Sequence, residues 1–477
     1  MRIFPKELKI GDYDGFTEEL DIFKRKEFGE GLGTLFERVE DPMVAVLDAP
    51  WGAGKSTFIK MWCGAMRNKG FPVIYFDAFK NDYSNDAFTA IAGEVVALSD
   101  ELLGETHERD EFIKSSLTVA KRVSLAAIKG GAKKLAEKCI GESGVSDVAE
   151  AVTQGGVDSV IDSIDVYLQD RLKGRTQEKN AFENFGATLE DLSNKLSVAA
   201  LVKASKKPQE QKEGPDDSDA VKDNPTPLPL IFVIDELDRC RPPFALEVIE
   251  RIKHFFSVPG VHFLLVTHLE QLENSVRYAY GMDEGSDVYL QKFYNVVVYL
   301  PSEGSYGNSQ TSIYLDSIFK DYPSDGEGGE YSNDIKKIMD RYATSHQMTL
   351  RTIEKVSTHI AILLAVTEKR FLRISEIVCG LCIIKTLNSR LYKNILNGSA
   401  TYEDVCAFLK LKDIRTSGET VDYTDQAWAW VLADDDILKS HPKIRSLFEG
   451  TIARYTLRNR HEVLRVLCRR LESYAFV

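Results

Sequence analysis

The sequence has no uninterrupted apolar run of the roughly 18 to 20 residues that a bilayer span requires. Its longest apolar stretches, Ile360–Val366 and Ile374–Thr386, are short and flanked by charge. No transmembrane helix is expected. The first sixteen residues, MRIFPKELKIGDYDGF, contain no apolar secretory core, so no signal peptide is expected either. A basic excess is also lacking. The formal net charge is −13, which argues against sequence-independent nucleic-acid binding by the chain as a whole and leaves only a local patch for it. Seven cysteines, at positions 63, 139, 240, 379, 382, 406 and 468, form no repeated pairs. Only Cys379 and Cys382 stand as C-x-x-C, with no second pair and no nearby histidine, inside an apolar helical run. They read as core thiols of a reducing, cytoplasmic compartment, not as a metal or redox centre. What remains is an ordinary folded composition, 43% hydrophobic and 28% charged, and 477 residues suggest two or three domains.

What is present begins with residues 43–61, MVAVLDAPWGAGKSTFIKM. Val44–Leu47 is an uncharged apolar run, the pattern of a strand buried on both faces of a parallel sheet. A glycine turn, Lys55-Ser56 and a helical segment follow, and that order is the context of a phosphate-binding loop. Gly52 and Gly54 let the backbone fold closely round an anion. The amides of the turn and of the helix N-terminus then point at phosphate oxygens. The candidate nucleotide-binding residues are Pro50, Trp51, Gly52, Ala53, Gly54, Lys55, Ser56 and Thr57. Lys55 brings a charge to the β- and γ-phosphates, Ser56 a hydroxyl to Mg²⁺, and Thr57 a hydroxyl to the α-phosphate region. Ala49 stands where such loops usually carry their first glycine, so a negative φ is expected there.

The rest of the chain supplies the sheet around that loop. Residues 1–15 are a turn-rich lead-in. An amphipathic helix is expected between Phe16 and Glu40, with Phe28, Leu32, Leu35, Phe36 and Val39 on one side and Lys24, Arg25, Lys26 and Glu37 on the other. The loop helix should stop at Gly70. Pro72–Asp77, Leu230–Ile234, Val261–His268 and Asn295–Pro301 are four further strands, with helices at Phe88–Leu103 and Pro243–Phe256. Five buried strands separated by helices imply right-handed crossovers and a parallel sheet. Residues 104–200 read as a helical insertion. Lys121, Arg122, Lys129, Lys133, Lys134 and Lys138 make part of it a basic amphipathic helix, read as one arm of a helical hairpin or as a membrane-surface contact. Residues 203–229, dense in charge and proline, read as a disordered loop inside the nucleotide-binding unit. Ser302–Gln310 and Tyr322–Asn333 read as polar loops, and from Asp334 onward every pattern is helical. The domains expected are therefore 1–15, a core at 16–302 and an all-α region at 303–477.

The second chemical signal is Asp235-Glu236-Leu237-Asp238-Arg239-Cys240, after the third strand. A carboxylate at the tip of an apolar strand can hold Mg²⁺, which assigns Asp235. Glu236 can orient and deprotonate an attacking water, with Asp238 in reserve. Arg239 meets a phosphate or closes a local salt-bridged turn. Asp77 either approaches the γ-phosphate or caps the next helix. Thr267 and His268 end the fourth strand, where a polar group can sense the γ-phosphate, although a histidine there is more often structural. Arg351, with Arg373 as a weaker candidate, can reach back to the nucleotide. Arg445, Arg454, Arg458, Arg460, Arg465, Arg469 and Arg470 read as a solvated face or as a docking surface for a partner or nucleic acid.

Together the runs Ala49–Thr57 (APWGAGKST), Tyr75–Tyr83 (YFDAFKNDY), Ile234–Cys240 (IDELDRC), Tyr289–Phe293 (YLQKF) and Leu350–Lys355 resemble the KAP family of P-loop NTPases. The resemblance spans about Phe16 to Ser389, and Trp51 with the Asp-Glu-Leu-Asp-Arg-Cys run is its most specific part. It implies an α/β P-loop fold of the additional-strand type with a helical C-terminal region, and ATP with Mg²⁺ as cofactors. By position it implies Lys55 and Ser56 on phosphate and metal, Asp235 on metal and Arg351 as a sensing arginine. The sequence departs from the family at Ala49, Asp77, Phe79, Glu236 and His268. Many relatives carry transmembrane helices where 104–200 stands here, so this chain resembles a soluble branch. Bacterial relatives imply a role in phage or plasmid exclusion.

Three functional readings follow. The chain is an ATPase whose Lys55, Glu236, Asp238 and Arg351 run a conformational switch for a protein partner or a homo-oligomer. Alternatively it is a nucleotide-gated scaffold that scarcely hydrolyses, motivated by Ala49 and His268, or a nucleic-acid-stimulated motor, motivated by the arginine-rich end.

Overall fold

The computed structural model describes residues 8–83, 86–121, 157–206, 227–281, 284–301, 309–320, 330–367, 374–416, 421–455 and 457–473. Five strands, β1 (Val44–Asp48), β2 (Val73–Asp77), β3 (Leu230–Asp235), β4 (Val261–Thr267) and β5 (Val296–Tyr299), form one all-parallel sheet in the order β2-β3-β4-β1-β5. β3 and β4 are buried along their whole length, as uninterrupted apolar runs in a parallel sheet should be. The strand that separates the loop strand β1 from the acid-bearing strand β3 in space is β4. β2, which lies between them in sequence, is the edge beyond β3. The carboxyl ends of β1, β3 and β4 thus open side by side, where an open α/β sheet places its ligand.

Helices cover both faces. On one, α1 (Lys26–Arg38) and α2 (Lys55–Asn68) bury Leu32, Phe36, Phe58, Ile59 and Trp62 against Ala45, Leu47, Val233 and Val266. α1 is the amphipathic helix expected between Phe16 and Glu40, and it occupies the second half of that stretch. Phe16, Leu20 and Phe23 repeat at helical spacing, but their segment is built of turns up to Lys24, which has a positive φ. On the other face lie α3 (Ala87–Leu102), the end of the long α4 (Val157–Ser205), α5 (Pro242–Phe255) and α6 (Leu269–Tyr280). Phe185, Leu189, Leu192 and Leu196 of α4 join Phe88, Phe232 and Phe263 there. The described parts of the expected insertion, 107–121 and α4, are helical. α4 continues through Lys203 to Ser205, three residues into the stretch read as disordered. The basic segment from Arg122 to Lys138, Cys139 and residues 207–226 lie outside the described residues.

From Gln310 onward the described residues form helices and turns around a separate apolar cluster. Residues 330–333, expected in a loop, already belong to the helix Glu330–Ser345. α7 (Leu350–Ala365) packs on α8 (Ser375–Leu387), which is buried on nearly every side beneath Trp428. Cys379 and Cys382 are fully buried members of this core, and the six described cysteines are free thiols. Burial pushes the Cys382 thiol far above its ordinary range, so neither cysteine is a ready ligand or nucleophile. Arg460 and Arg470 are buried too. One donates to the Trp430 carbonyl at 2.7 Å and to Asp435 at 2.8 Å, and the other to Thr367 Oγ1 at 3.1 Å. The arginine-rich end is therefore not one solvated face.

Candidate functional site

β1 ends in Asp48 and the chain turns through Ala49, whose backbone keeps a negative φ. Gly52 and Gly54 lie at φ +79° and +83°, in the left-handed region that only glycine enters freely. Gly54 is the N-cap of α2 and has no side chain to cap it. The amides of the first turn of α2 therefore lack intrahelical acceptors and converge on the mouth of the loop. Lys55, at the first position of α2, is buried and donates to the carbonyls of Ala49 and, at 3.3 Å, Pro50. Burial lowers its pKa while Asp238, Asp235, Asp48 and Glu236 oppose that shift. Pro50 and Ala53 face elsewhere in the loop: the Pro50 carbonyl also accepts from Ala53 N at 3.3 Å.

The acids meet this loop from β3. Asp235 is 1% exposed. Its Oδ1 accepts from the Glu236 amide at 2.9 Å and its Oδ2 from the Tyr75 hydroxyl of β2 at 2.8 Å. Burial raises its pKa against those hydrogen bonds. Glu236 accepts from Ser56 Oγ at 3.1 Å and forms an ion pair with Arg239. Burial, then the neighbouring Asp235, raises its pKa. Its φ of +63° is a conformation worth roughly 1–3 kcal/mol of strain for a residue with a Cβ, and such strain gathers at functional sites. Asp238 is engaged differently. It accepts from the Trp51 indole and, at 3.3 Å, from Thr267 Oγ1. One carboxylate thus ties the loop, the turn after β3 and the tip of β4.

These groups open onto a cleft of about 860 Å³, a size suited to a small ligand. Trp51, Gly52, Gly54, Lys55, Ser56, Thr57, Asp235, Glu236, Asp238 and Arg239 line one side, and Arg351, Glu354 and Lys355 of α7 another. Leu20, Ile22, Phe23 and Tyr314 make an apolar end. The helical region touches the loop directly, since Leu350 N donates to the Gly52 carbonyl at 3.2 Å.

Other candidates fall outside the cleft. Asp77 caps the next short helix by accepting from Lys80 N at 3.0 Å. His268 packs edge-on to Trp51, 5.8 Å between ring centres, and lies 3.8 Å from Glu270. Arg373 is outside the described residues. Two side chains escaped the sequence reading, Tyr75, which bonds Asp235, and Arg25, which lines the cleft. Tyr75 looks in sequence like one more strand residue, and Arg25 like part of a polar helix face.

A family model, the KAP family P-loop domain, matches residues 32–367. The chain belongs to this family. No curated protein matches it significantly. Among the described residues no helix is long and apolar enough to cross a membrane, although many KAP relatives are expected to carry such helices.

The residues of this KAP domain fit a magnesium nucleotide. The uncapped amides of α2 and the carbonyl-bound ammonium of Lys55 suit an anion. Ser56 and Asp235 bring a hydroxyl and a carboxylate together, and Glu236 accepts from the same Ser56 hydroxyl. Among the described residues no cluster of three or more acids, histidines or cysteines could hold a metal ion alone. A cation held by Ser56 and Asp235 must complete its shell with phosphate oxygens and water, which is how Mg²⁺ usually binds.

Proposed function

We propose that this chain is a cytoplasmic ATPase that uses nucleotide binding and hydrolysis to switch the contact between its phosphate loop and its helical region. Lys55 and the loop amides from Trp51 to Thr57 hold the phosphates. Ser56 and Asp235 hold Mg²⁺, and Tyr75 keeps Asp235 in place. Glu236 takes the proton from the attacking water. The apolar end of the cleft suits adenine, read by packing and not by a carboxylate pair. The observation that carries this reading is the meeting of Ser56, Asp235 and a strained Glu236 at the uncapped start of α2.

The switch follows from the shared wall of the site. Leu350, next to Arg351, is bonded to Gly52, so a ligand that reshapes the loop acts on α7. The partner that reads this motion is a protein or a second copy of the chain, and defence against phage rests on the family likeness alone. A scaffold with little turnover is the second reading, favoured by the Arg239 ion pair on Glu236. A nucleic-acid-driven motor draws no support from Arg460 and Arg470, which are spent inside the fold, and would have to rest on the exposed arginines of the same segment.

The test is Mg·ATP binding and phosphate release by the native chain and by Lys55→Ala. A ligand at 100 times its Kd stabilises the native state by about 2.7 kcal/mol. The native chain should show that rise in melting temperature together with phosphate release, and Lys55→Ala should lose both. A rise without phosphate release selects the scaffold. No rise with any nucleoside triphosphate removes the nucleotide reading.

A further inference from the structure

Arg25 stands one residue before α1 and seven residues before the family match begins. Its side chain is only 4% exposed and lines the cleft beside Gly54. A Cβ built on Gly54 would sit 3.4 Å from Arg25 Nη1. A buried guanidinium normally finds a carboxylate. Here the nearby acid, Asp21, is spent on the backbone, accepting from Arg25 N at 2.8 Å and Lys26 N at 2.9 Å. The guanidinium instead bridges two carbonyls. Nη1 and Nη2 each donate to Ala53 O at 3.2 Å, and Nη2 also to Pro301 O at 3.0 Å. Its carbon lies 4.8 Å from the centre of the Phe23 ring. Its Nε is buried with no acceptor among the described atoms. Burial holds its pKa down at about 10, with Asp21 opposing.

We propose that Arg25 is a positioning residue of the nucleotide site, a fork that fixes the phosphate loop to the Pro301 junction and whose charge a polyphosphate in the cleft answers. The inference rests on the nucleotide reading above. The Ala53 carbonyl and the Gly54 amide belong to one peptide group, and in a trans peptide they point in opposite directions. Holding the carbonyl toward Arg25 turns the Gly54 N–H the other way, toward the loop's anion side. Pro301 follows β5 and also accepts from Gln310 Nε2 at 2.6 Å, where the helical region begins. The fork therefore sets the loop against the junction through which the two halves of the chain are connected. Its charge costs stability while the cleft lacks an anion and favours binding when one enters.

The experiment compares the full chain with Arg25→Met and Arg25→Lys, reading KM and kcat for Mg·ATP together with melting temperature with and without it. Arg25→Met removes an unpaired buried charge but also takes the donor from the Ala53 and Pro301 carbonyls, so a melting temperature lower by a few degrees is expected in the absence of ligand. Its KM should rise at least tenfold. A merely structural Arg25 gives a lower melting temperature with native KM, and that result overturns the proposal. Arg25→Lys keeps the charge but not the fork and should raise KM several-fold. Should Arg25→Met fail to fold, native KM and kcat in Arg25→Lys overturn the proposal, and a raised KM upholds it. A native chain with neither an ATP-induced rise nor phosphate release overturns the nucleotide reading itself. A native chain that responds, beside an Arg25→Met that responds equally, overturns only the role of Arg25.

Discussion

Glu236→Gln separates an ATPase from a nucleotide-gated scaffold. Glutamine keeps the shape of the side chain, and its amide oxygen can still accept from Ser56 Oγ, 3.1 Å away in the native chain. The left-handed backbone at φ +63° is as strained for glutamine as for glutamate, so folding should change little on that account. What disappears is the charge and the capacity to take a proton. Arg239 loses its partner, but its side chain is a third exposed, so water replaces much of that ion pair. Removing a general base slows the chemical step by about 10² to 10⁴, or roughly 2.7–5.4 kcal/mol at 1.36 kcal/mol per decade. Binding should hold or tighten, because one of two adjacent carboxylates facing an anion is gone. Steady-state phosphate release with saturating Mg·ATP measures the first effect, and the ATP-induced rise in melting temperature measures the second. Turnover within about threefold of native would refute the assignment of the base. Asp238 is a poor successor, since its two oxygens already accept from Trp51 and Thr267.

Two further outcomes are expected. Gly52→Ala places a Cβ in a left-handed position, a cost of about 1–2 kcal/mol, and aims it 2.9 Å from Thr349 Oγ1 and 3.2 Å from Arg351 Cβ. Thermal unfolding should therefore show a lower melting temperature and a lost ATP-induced rise, and a native ATP response would deny that α7 rests on the loop. The raised pKa values of Asp235 and Glu236 mean that the folded state binds more protons than the unfolded one, between the ordinary carboxylate pKa and the raised values. Stability of the ligand-free chain should fall as pH rises through that window. Mg²⁺ favours the charged carboxylates, so the gain in melting temperature from Mg·ATP should grow with pH there. An equal gain at about pH 5 and about pH 8 would count against metal binding at these acids.

The sheet was legible because each strand announces itself by an apolar run and ends in polar residues. Val44–Leu47, Leu230–Ile234 and Val261–Thr267 carry that signal at full strength, and their burial on both faces follows. Gly70, at φ +93°, closes the end of α2 as expected. Phe16, Leu20 and Phe23 precede α1 in turns although they repeat at helical spacing. Arg25 was hidden because a cation beside Lys24 and Lys26 looks like solvent-facing charge. The long-range contacts had no local signal at all. Trp51 and Asp238 meet across 187 residues, and Tyr75 and Asp235 across 160. Register made the second meeting: Tyr75 lies two pairings back from Asp77, on the same face, and Asp77 is opposite Asp235.

The same long-range contacts bear on the proposed switch. Asp238 holds the loop, the turn after β3 and the tip of β4 at once, so none of the three can move alone. Lys55 and Ser56 are satisfied by partners inside the protein, the carbonyls of Ala49 and Pro50 and the Glu236 carboxylate. A magnesium nucleotide competes for the Lys55 ammonium, whereas the Ser56 hydroxyl can offer an oxygen lone pair to a metal and still donate its proton to Glu236. Because Gly52 in the same loop is bonded to Leu350 and lies against Thr349, the proposed switch would pass from the loop to the start of α7. In that proposal, occupancy and the position of the helical region are coupled through one short turn of backbone, and the coupling should vanish when Gly52 is changed.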